Sequence, residues 1–301
     1  MGRNSRQSGA VRGPRKDTPI CRHVGRPRCF RGYARRGISY HFKPHYPPKA
    51  RGGKANEVVL TMPISEVFNM DCMEYMRQFP DKHFDLAVVD PPYGIGEDGK
   101  KNHSRGVGSN PKGKGLARSS KWAVKSWDKE PESSRYFDEL RRVSMHQIIW
   151  GANHFISRVA IDSPGWIVWD KQNGETDFAD CELALTTFQR AVKKFEFKWN
   201  GLFQGNMKNK EMRIHPTQKP VALYKWIFQN YAKPGWKILD THLGSGSSRI
   251  AAWDMGLDFY ATELDADYFE AMEKRFQAHI SKPPLFAPDQ QYTFTQTSLF
   301  K

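Results

Sequence analysis

From about position 55 onward, the apolar residues of this chain fall into short runs separated by glycine, proline and charged residues. The run Phe84-Asp85-Leu86-Ala87-Val88-Val89-Asp90 is β-rich and is stopped by two prolines, the pattern of a buried strand that ends at a sheet edge. Residues 147–150 and 166–169 predict two more strands, 183–187 a weaker one, and 237–240 and 258–263 a further two. Helical spacing runs over 221–231 directly after Pro220, a favourable residue for a first turn. It recurs over 247–255 up to Gly256, and again over 266–280. Strands that alternate with helices predict an α/β fold with a mostly parallel sheet and helices on both faces.

Three stretches depart from that rhythm. Residues 1–54 are rich in Arg, Gly and Pro and have no apolar periodicity, so they predict a mostly disordered arm. Residues 97–135 are dominated by Lys, Gly, Ser and Asn, with Trp122 and Trp127 near the end, and predict a long loop. Residues 190–213 mix basic and aromatic or apolar character through Lys193, Lys194, Lys198, Trp199, Lys208, Lys210 and Arg213. The expected organisation is an arm over 1–54, a folded domain over 55–284 with 97–135 and 190–213 as candidate recognition or lid segments, and a tail over 285–301.

Composition supports one sizeable core, since 39% of the 301 residues are apolar and 13% aromatic. Cys21, Cys29, Cys72 and Cys181 form no regular framework, and no apolar run is long enough for a signal peptide or a membrane span. A reducing, cytoplasmic setting is therefore expected. Charge changes the picture more. Residues 1–54 hold fifteen Lys and Arg against Asp17 alone, a local +14 that leaves +1 of the total +15 to the other 247 residues. Basic charge gathered in one arm suits phosphate backbones, although a solvated tail or an upstream extension of the reading frame has the same composition. Cys21, His23, Cys29 and His41 match no usual zinc spacing, and no metal is expected.

Two constellations carry chemistry. Asp240-Thr241-His242-Leu243-Gly244-Ser245-Gly246-Ser247-Ser248 is a glycine-rich turn between a strand and a helix, and Glu263 ends the next strand. Glycines allow close backbone approach to a ligand, and an acid about 20 residues on suits ribose hydroxyls, so a nucleoside cofactor is implied. A dinucleotide site prefers a third glycine where this chain has Arg249, which argues against NAD. The second constellation is Asp90-Pro91-Pro92-Tyr93-Gly94. A carboxylate and a proline carbonyl can accept the two N–H bonds of an exocyclic base amine and draw its lone pair out of the ring. Prolines hold such carbonyls in place because they have no N–H of their own. A bare strand stop has the same appearance.

Asp90 to Tyr93, His215-Pro216-Thr217-Gln218-Lys219-Pro220 and the Asp240 to Ser248 turn, in this order, resemble the permuted group of DNA amino-methyltransferases. The resemblance spans roughly 58–280 and is strongest to compact adenine-N6 enzymes of phages and bacteria. It implies a seven-stranded, Rossmann-like methyltransferase sheet, S-adenosylmethionine as cofactor, double-stranded DNA as partner, and direct methyl transfer to a flipped base. Asp90 would then orient the amine, helped by the Pro91 and Pro92 carbonyls, and Tyr93 would stack on the base. Asp240, Leu243, Gly244, Ser245, Gly246 and Ser247 would line the methionine half of the cofactor and Glu263 its ribose. Asp71 and Cys72 would lie near its adenine. Thr217, Gln218 and Lys219 would close the site, with Lys219 pairing the methionine carboxylate. Thr241 and His242 stand where the family usually has Pro and Phe, and His242 reads as polar filler. Adenine N6 is the leading target and cytosine N4 the alternative. RNA or protein-glutamine methylation and a non-catalytic DNA-binding protein are more distant readings.

Overall fold

The structure, a computed structural model, describes residues 63–97, 125–173, 179–200 and 203–281. The arm over 1–54, most of the 97–135 segment with Trp122, and the tail over 285–301 lie outside the described residues. Among the described residues no helix is long and apolar enough to cross a membrane.

Among the described residues, ten strands and six α-helices follow one another. The strands are β1 (Ser65–Phe68), β2 (Phe84–Val89), β3 (Ser144–Trp150), β4 (Trp166–Asp170), β5 (Cys181–Thr186), β6 (Lys193–Glu196), β7 (Trp199–Asn200), β8 (Phe203–Gln204), β9 (Lys237–Asp240) and β10 (Asp258–Thr262). The helices are α1 (Cys72–Met76), α2 (Ser134–Val143), α3 (Ile156–Val159), α4 (Val221–Tyr231), α5 (Ser247–Asp254) and α6 (Ala266–Ile280). Eight strands form one sheet in the order β1-β10-β9-β2-β3-β5-β4-β6, while β7 and β8 pair as a separate hairpin. The sheet is mostly parallel; β5 alone runs against both of its neighbours, β3 and β4.

Period-two alternation assigns each core side chain to a face. Leu86, Val88, Ile148, Trp150, Ile238 and Phe259 pack with α4, α5 and α6 through Leu223, Ile227, Ala251 and Met272. Their sequence neighbours Ala87, Val89, Ile149, Leu239 and Tyr260 pack with α1, α2 and α3 through Met76, Phe137, Leu140 and Val159. Helices therefore cover both faces, as the alternation of elements predicts.

The sheet has eight strands rather than seven. The two that the apolar pattern does not mark, β1 and β6, are the edge strands, short and mostly half-buried or exposed. An edge strand buries too little to need the apolar alternation by which strands are recognised. The expected recognition segment over 190–213 thus contains the edge strand β6 and the paired strands β7 and β8.

The strand order also decides where a ligand can bind. From β2 the chain moves outward to β3, whereas from β9 it moves the other way to β10, yet β2 and β9 are parallel neighbours. The connections leaving their carboxyl ends diverge and open a crevice, the usual place for ligands in such sheets.

Candidate active site

A cavity of about 670 Å³ sits at that crevice, within the range of roughly 300–1,000 Å³ common for small-molecule sites. Asp90 and Pro92 reach it from the end of β2. Leu243, Gly244 and Ser245 come from the turn after β9, and Glu263 from the end of β10. Asp71 and Cys72 line it from the start of α1, and Thr217, Gln218 and Lys219 from the approach to α4. The two constellations, about 150 residues apart in sequence, therefore share one space.

The remaining expected residues support the walls without lining them. Asp240 is buried, its Oδ2 accepting the Ser248 hydroxyl at 2.6 Å and its Oδ1 the His242 amide at 3.1 Å. Burial nevertheless pushes its carboxyl up to about 6. Ser247 meets Ser245 through their hydroxyls at 3.1 Å, and Arg275 holds both. Gly246, at φ +73°, opens α5; a Cβ there would lie 2.4 Å from Met272 Cγ, so the turn needs glycine for conformation and for space. Pro91 is buried.

Tyr93 is placed differently from the expectation. Its ring stacks on His154 with centroids 5.1 Å apart and presses so closely on Gly151 that a Cβ there would be 2.1 Å from it. Its hydroxyl donates to Asp90 Oδ1 at 2.6 Å. In this arrangement Tyr93 braces the carboxylate and is not part of the cavity wall.

Lys219 also departs from the expectation that it pairs the methionine carboxylate. Its ammonium is 2.6 Å from Asp90 Oδ2, 3.0 Å from Glu182 Oε2 and 3.1 Å from the Tyr93 hydroxyl. An ammonium has three N–H donors, and all three are taken. The ammonium also lies 5.3 Å from the Trp150 ring centre. Burial works against its charge, but Asp90 and Glu182 outweigh burial and raise its pKa. Glu182 in turn bridges Lys219 and Lys171. Burial pushes its carboxyl up, but the two ammoniums dominate and bring it down to about 2. Sequence reasoning missed Glu182 because no motif contains it. Only the reversed direction of β5 brings its second residue to the carboxyl edge of the sheet.

Other cavity residues were also missed. Glu132 and His242 face each other at 3.4 Å, and the His242 ring lines the cavity, so it is not filler. Burial opposes a charged His242, but Glu132 prevails and raises its pKa, while the same contact lowers that of Glu132. Cys72, Glu132 and His242 place one ligand atom each within 4.8 Å of one another, but His242 Nδ1 already engages Thr241 at 3.0 Å and burial pushes the Cys72 thiol up. That donor set is poorly matched to a cation, which needs the free thiolate.

Trp127, His215 and Tyr268 form an aromatic wall of the cavity, with His215 edge-on to Tyr268 at 4.2 Å. Burial, and next Lys219, bring the His215 ring down to about 3. Between pH 3 and 6.5 the unfolded chain binds a proton here that the folded chain rejects, so this group's contribution is complete above 6.5 and is lost as pH falls. His215→Phe, which keeps the ring, is expected to unfold with a shallower pH dependence. Its stability relative to the parent should rise by about 2 kcal/mol between pH 6.5 and 4.5, read from urea midpoints. Parallel pH profiles for the two proteins would refute this.

The site suits a nucleoside. Glu263 uses one lone pair of each oxygen on backbone amides, Gly244 at 2.7 Å and Asp265 at 2.9 Å. That fixes its rotamer and leaves acceptors for two vicinal hydroxyls. A mostly parallel Rossmann-like sheet with a nucleoside-type turn and an Asp-Pro-Pro-Tyr strand end at one crevice defines a methyltransferase of the kind that acts on amines. The chain is similar to DNA amino-methyltransferases. The family model N6_N4_Mtase, described as DNA methylase, matches residues 162–274. The chain is 23% identical over 257 residues to the Type II methyltransferase M.HinfI of Haemophilus influenzae, covering 71% of this chain and 68% of that one. It is 24% identical over 242 residues to the Type II methyltransferase M2.DpnII of Streptococcus pneumoniae, covering 69% and 88%. Among solved structures it is similar to the M1.HpyAVI–SAM complex, with a TM-score of 0.43, 21% identity, and 70% of this chain and 98% of that one covered.

Proposed function

We propose that this protein transfers a methyl group from S-adenosylmethionine to adenine N6 of a base flipped out of double-stranded DNA, in a cytoplasmic setting. The observation that carries the reading is that Asp90 and Pro92 share one cavity with Gly244 and Glu263.

S-adenosylmethionine, when bound, supplies an electrophilic methyl group on a sulfonium. Glu263 would hold its ribose hydroxyls, with Gly244 and Ser245 along the methionine half and Asp71 and Cys72 toward its adenine. Asp71 is fixed for this by capping α1, accepting the amides of Met73 and Glu74 at 2.9 and 3.0 Å. Asp90, helped by the Pro91 and Pro92 carbonyls, would accept the two N–H bonds of the target amine. A carboxylate has about four lone-pair sites, so Asp90 keeps acceptor capacity although Tyr93 and Lys219 each take one. Those two contacts lock its rotamer, and catalysis comes from positioning and from dipoles around the amine.

DNA would approach over the β7–β8 hairpin and its flanks. Phe203, Met207 and Met212 are exposed there, Lys198 lies 5.8 Å from the Phe203 ring centre, and Lys208, Lys210 and Arg213 follow. Gln218, which lines the cavity, donates to the Met212 carbonyl at 3.2 Å, so this rim adjoins the site. Apolar tips among cations suit a surface that contacts phosphates and bases together.

The test is incubation of the protein with methyl-labelled S-adenosylmethionine and genomic DNA from an unmethylated host, followed by digestion to nucleosides. N6-methyladenine is expected. N4-methylcytosine alone would reassign the target to cytosine, and label in RNA or protein but not in DNA would overturn the reading.

A further inference from the structure

We propose that Glu182 is a positioning residue for Asp90, acting through the Lys219 ammonium between them; this rests on the methyl-transfer reading. Asp90 and Lys219 line the cavity, whereas Glu182 and its other partner, Lys171, do not. The Lys219 side chain is only 3% exposed, and its ammonium lies 2.6 Å from Asp90 Oδ2 and 3.0 Å from Glu182 Oε2. Its third N–H goes to the Tyr93 hydroxyl at 3.1 Å. The Tyr93 and Trp150 ring centres, 5.5 and 5.3 Å away, complete the enclosure. Glu182, on β5, therefore fixes the ammonium from a second strand, and with it the oxygen of Asp90 that the ammonium holds.

The second consequence is electrostatic. When a methyl group passes from a sulfonium to an amine, the nitrogen–carbon bond forms as the carbon–sulfur bond breaks, and the broken bond's electron pair stays on sulfur. Positive charge thereby moves to the amine nitrogen, until a proton leaves it for water. An ammonium beside Asp90 opposes that charge, and Asp90 with Lys219 alone would form a neutral pair. Glu182 brings the group of three to a net charge of −1. Charge developing on the amine then meets a negative field already in place. Such a field stabilises the transition state more than the neutral amine before it.

The experiment compares Glu182→Gln, Glu182→Asp and Lys171→Met with the parent in single-turnover methyl transfer. S-adenosylmethionine affinity is measured by calorimetry, DNA affinity by anisotropy, and stability by thermal unfolding. Glu182→Gln keeps the side chain's shape but removes its charge. Its rate is expected to fall by about 10- to 30-fold with both affinities within about twofold. Glu182→Asp restores the charge and should recover about a third or more of the parent rate. Lys171→Met breaks the outer ion pair of Glu182, so it should lose stability yet keep its rate within about twofold. If Glu182→Gln fails to fold, the double variant with Lys171→Met, which leaves no ammonium without a carboxylate, carries the test with the same expected rate loss. The proposal is overturned by an unchanged rate without the Glu182 charge, by no recovery in Glu182→Asp, or by an equal rate loss in Lys171→Met. A rate loss that merely follows cofactor affinity or stability also overturns it. A parent protein that methylates no DNA would instead overturn the underlying functional reading.

Discussion

Replacing Asp90 with alanine is expected to lower single-turnover methyl transfer by about three orders of magnitude while S-adenosylmethionine still binds within a few fold. Asp90 is the charged group at the end of β2 that reaches the shared cavity, and its neighbours are arranged around it. Tyr93 donates to one oxygen at 2.6 Å and Lys219 to the other at 2.6 Å. Those contacts aim the carboxylate, but neither neighbour replaces it: Lys219 has no acceptor, and the Tyr93 hydroxyl, which already accepts from Lys219, carries no charge and does not line the cavity. The residues proposed to hold the cofactor lie on other elements, the β9 turn and Glu263, so affinity should survive. Asp90→Asn should be less severe, because its amide oxygen can still accept one N–H. A rate for Asp90→Ala within tenfold of the parent would remove Asp90 from the chemistry. Loss of cofactor affinity in step with rate would place it in binding instead.

The second large effect is on stability. Lys219→Met is expected to cost about 3–5 kcal/mol in urea unfolding at pH 7, because it leaves Asp90 and Glu182 facing each other without the ammonium between them. The loss should be partly reversed by Glu182→Gln in the same chain, which removes one of the two carboxylates that then repel each other, although Lys171 loses its partner in exchange. A coupling of about 1–3 kcal/mol between the two sites is expected. Strictly additive effects would refute the pairing. The sign with pH is fixed by Glu182, whose carboxyl is held at about 2, below its ordinary value of 4.5. The pair's contribution is present above about pH 4.5 and declines as pH falls toward 2, so the parent and Lys219→Met should converge in acid.

This charged cluster also shows how a site can be half legible. Asp90 and Lys219 belong to motifs that the sequence marks, 129 residues apart, and nothing in either motif says that they touch. Their contact depends on α4 lying on the face of the sheet from which the 213–220 segment crosses the end of β2. Glu182 is more hidden still, since its place follows from one antiparallel strand in an otherwise parallel arrangement. For the same reason spacing gave Lys219 a neighbourhood but not the partners that its ammonium has in the structure, Asp90, Glu182 and Tyr93. Helix α2, by contrast, was within reach, because Tyr136, Phe137, Leu140 and Val143 repeat at helical intervals directly after the loop-like stretch.

By itself the sequence determined the central strands β2, β3, β4, β5, β9 and β10 and the helices α4, α5 and α6, because burial on one or both faces forces a periodic apolar pattern on each. It also determined the two chemical segments, since a double proline after a strand and a glycine turn before a helix are local devices. The edge strands β1 and β6 were decided only in the tertiary structure, where they complete a sheet already formed and bury little of themselves. So were the partners of Lys219, the bracing position of Tyr93, and the hold of Asp128 on the Tyr93 and Gly94 amides. Each of these is a contact between segments far apart in the chain, set by strand order and direction, which no local pattern records.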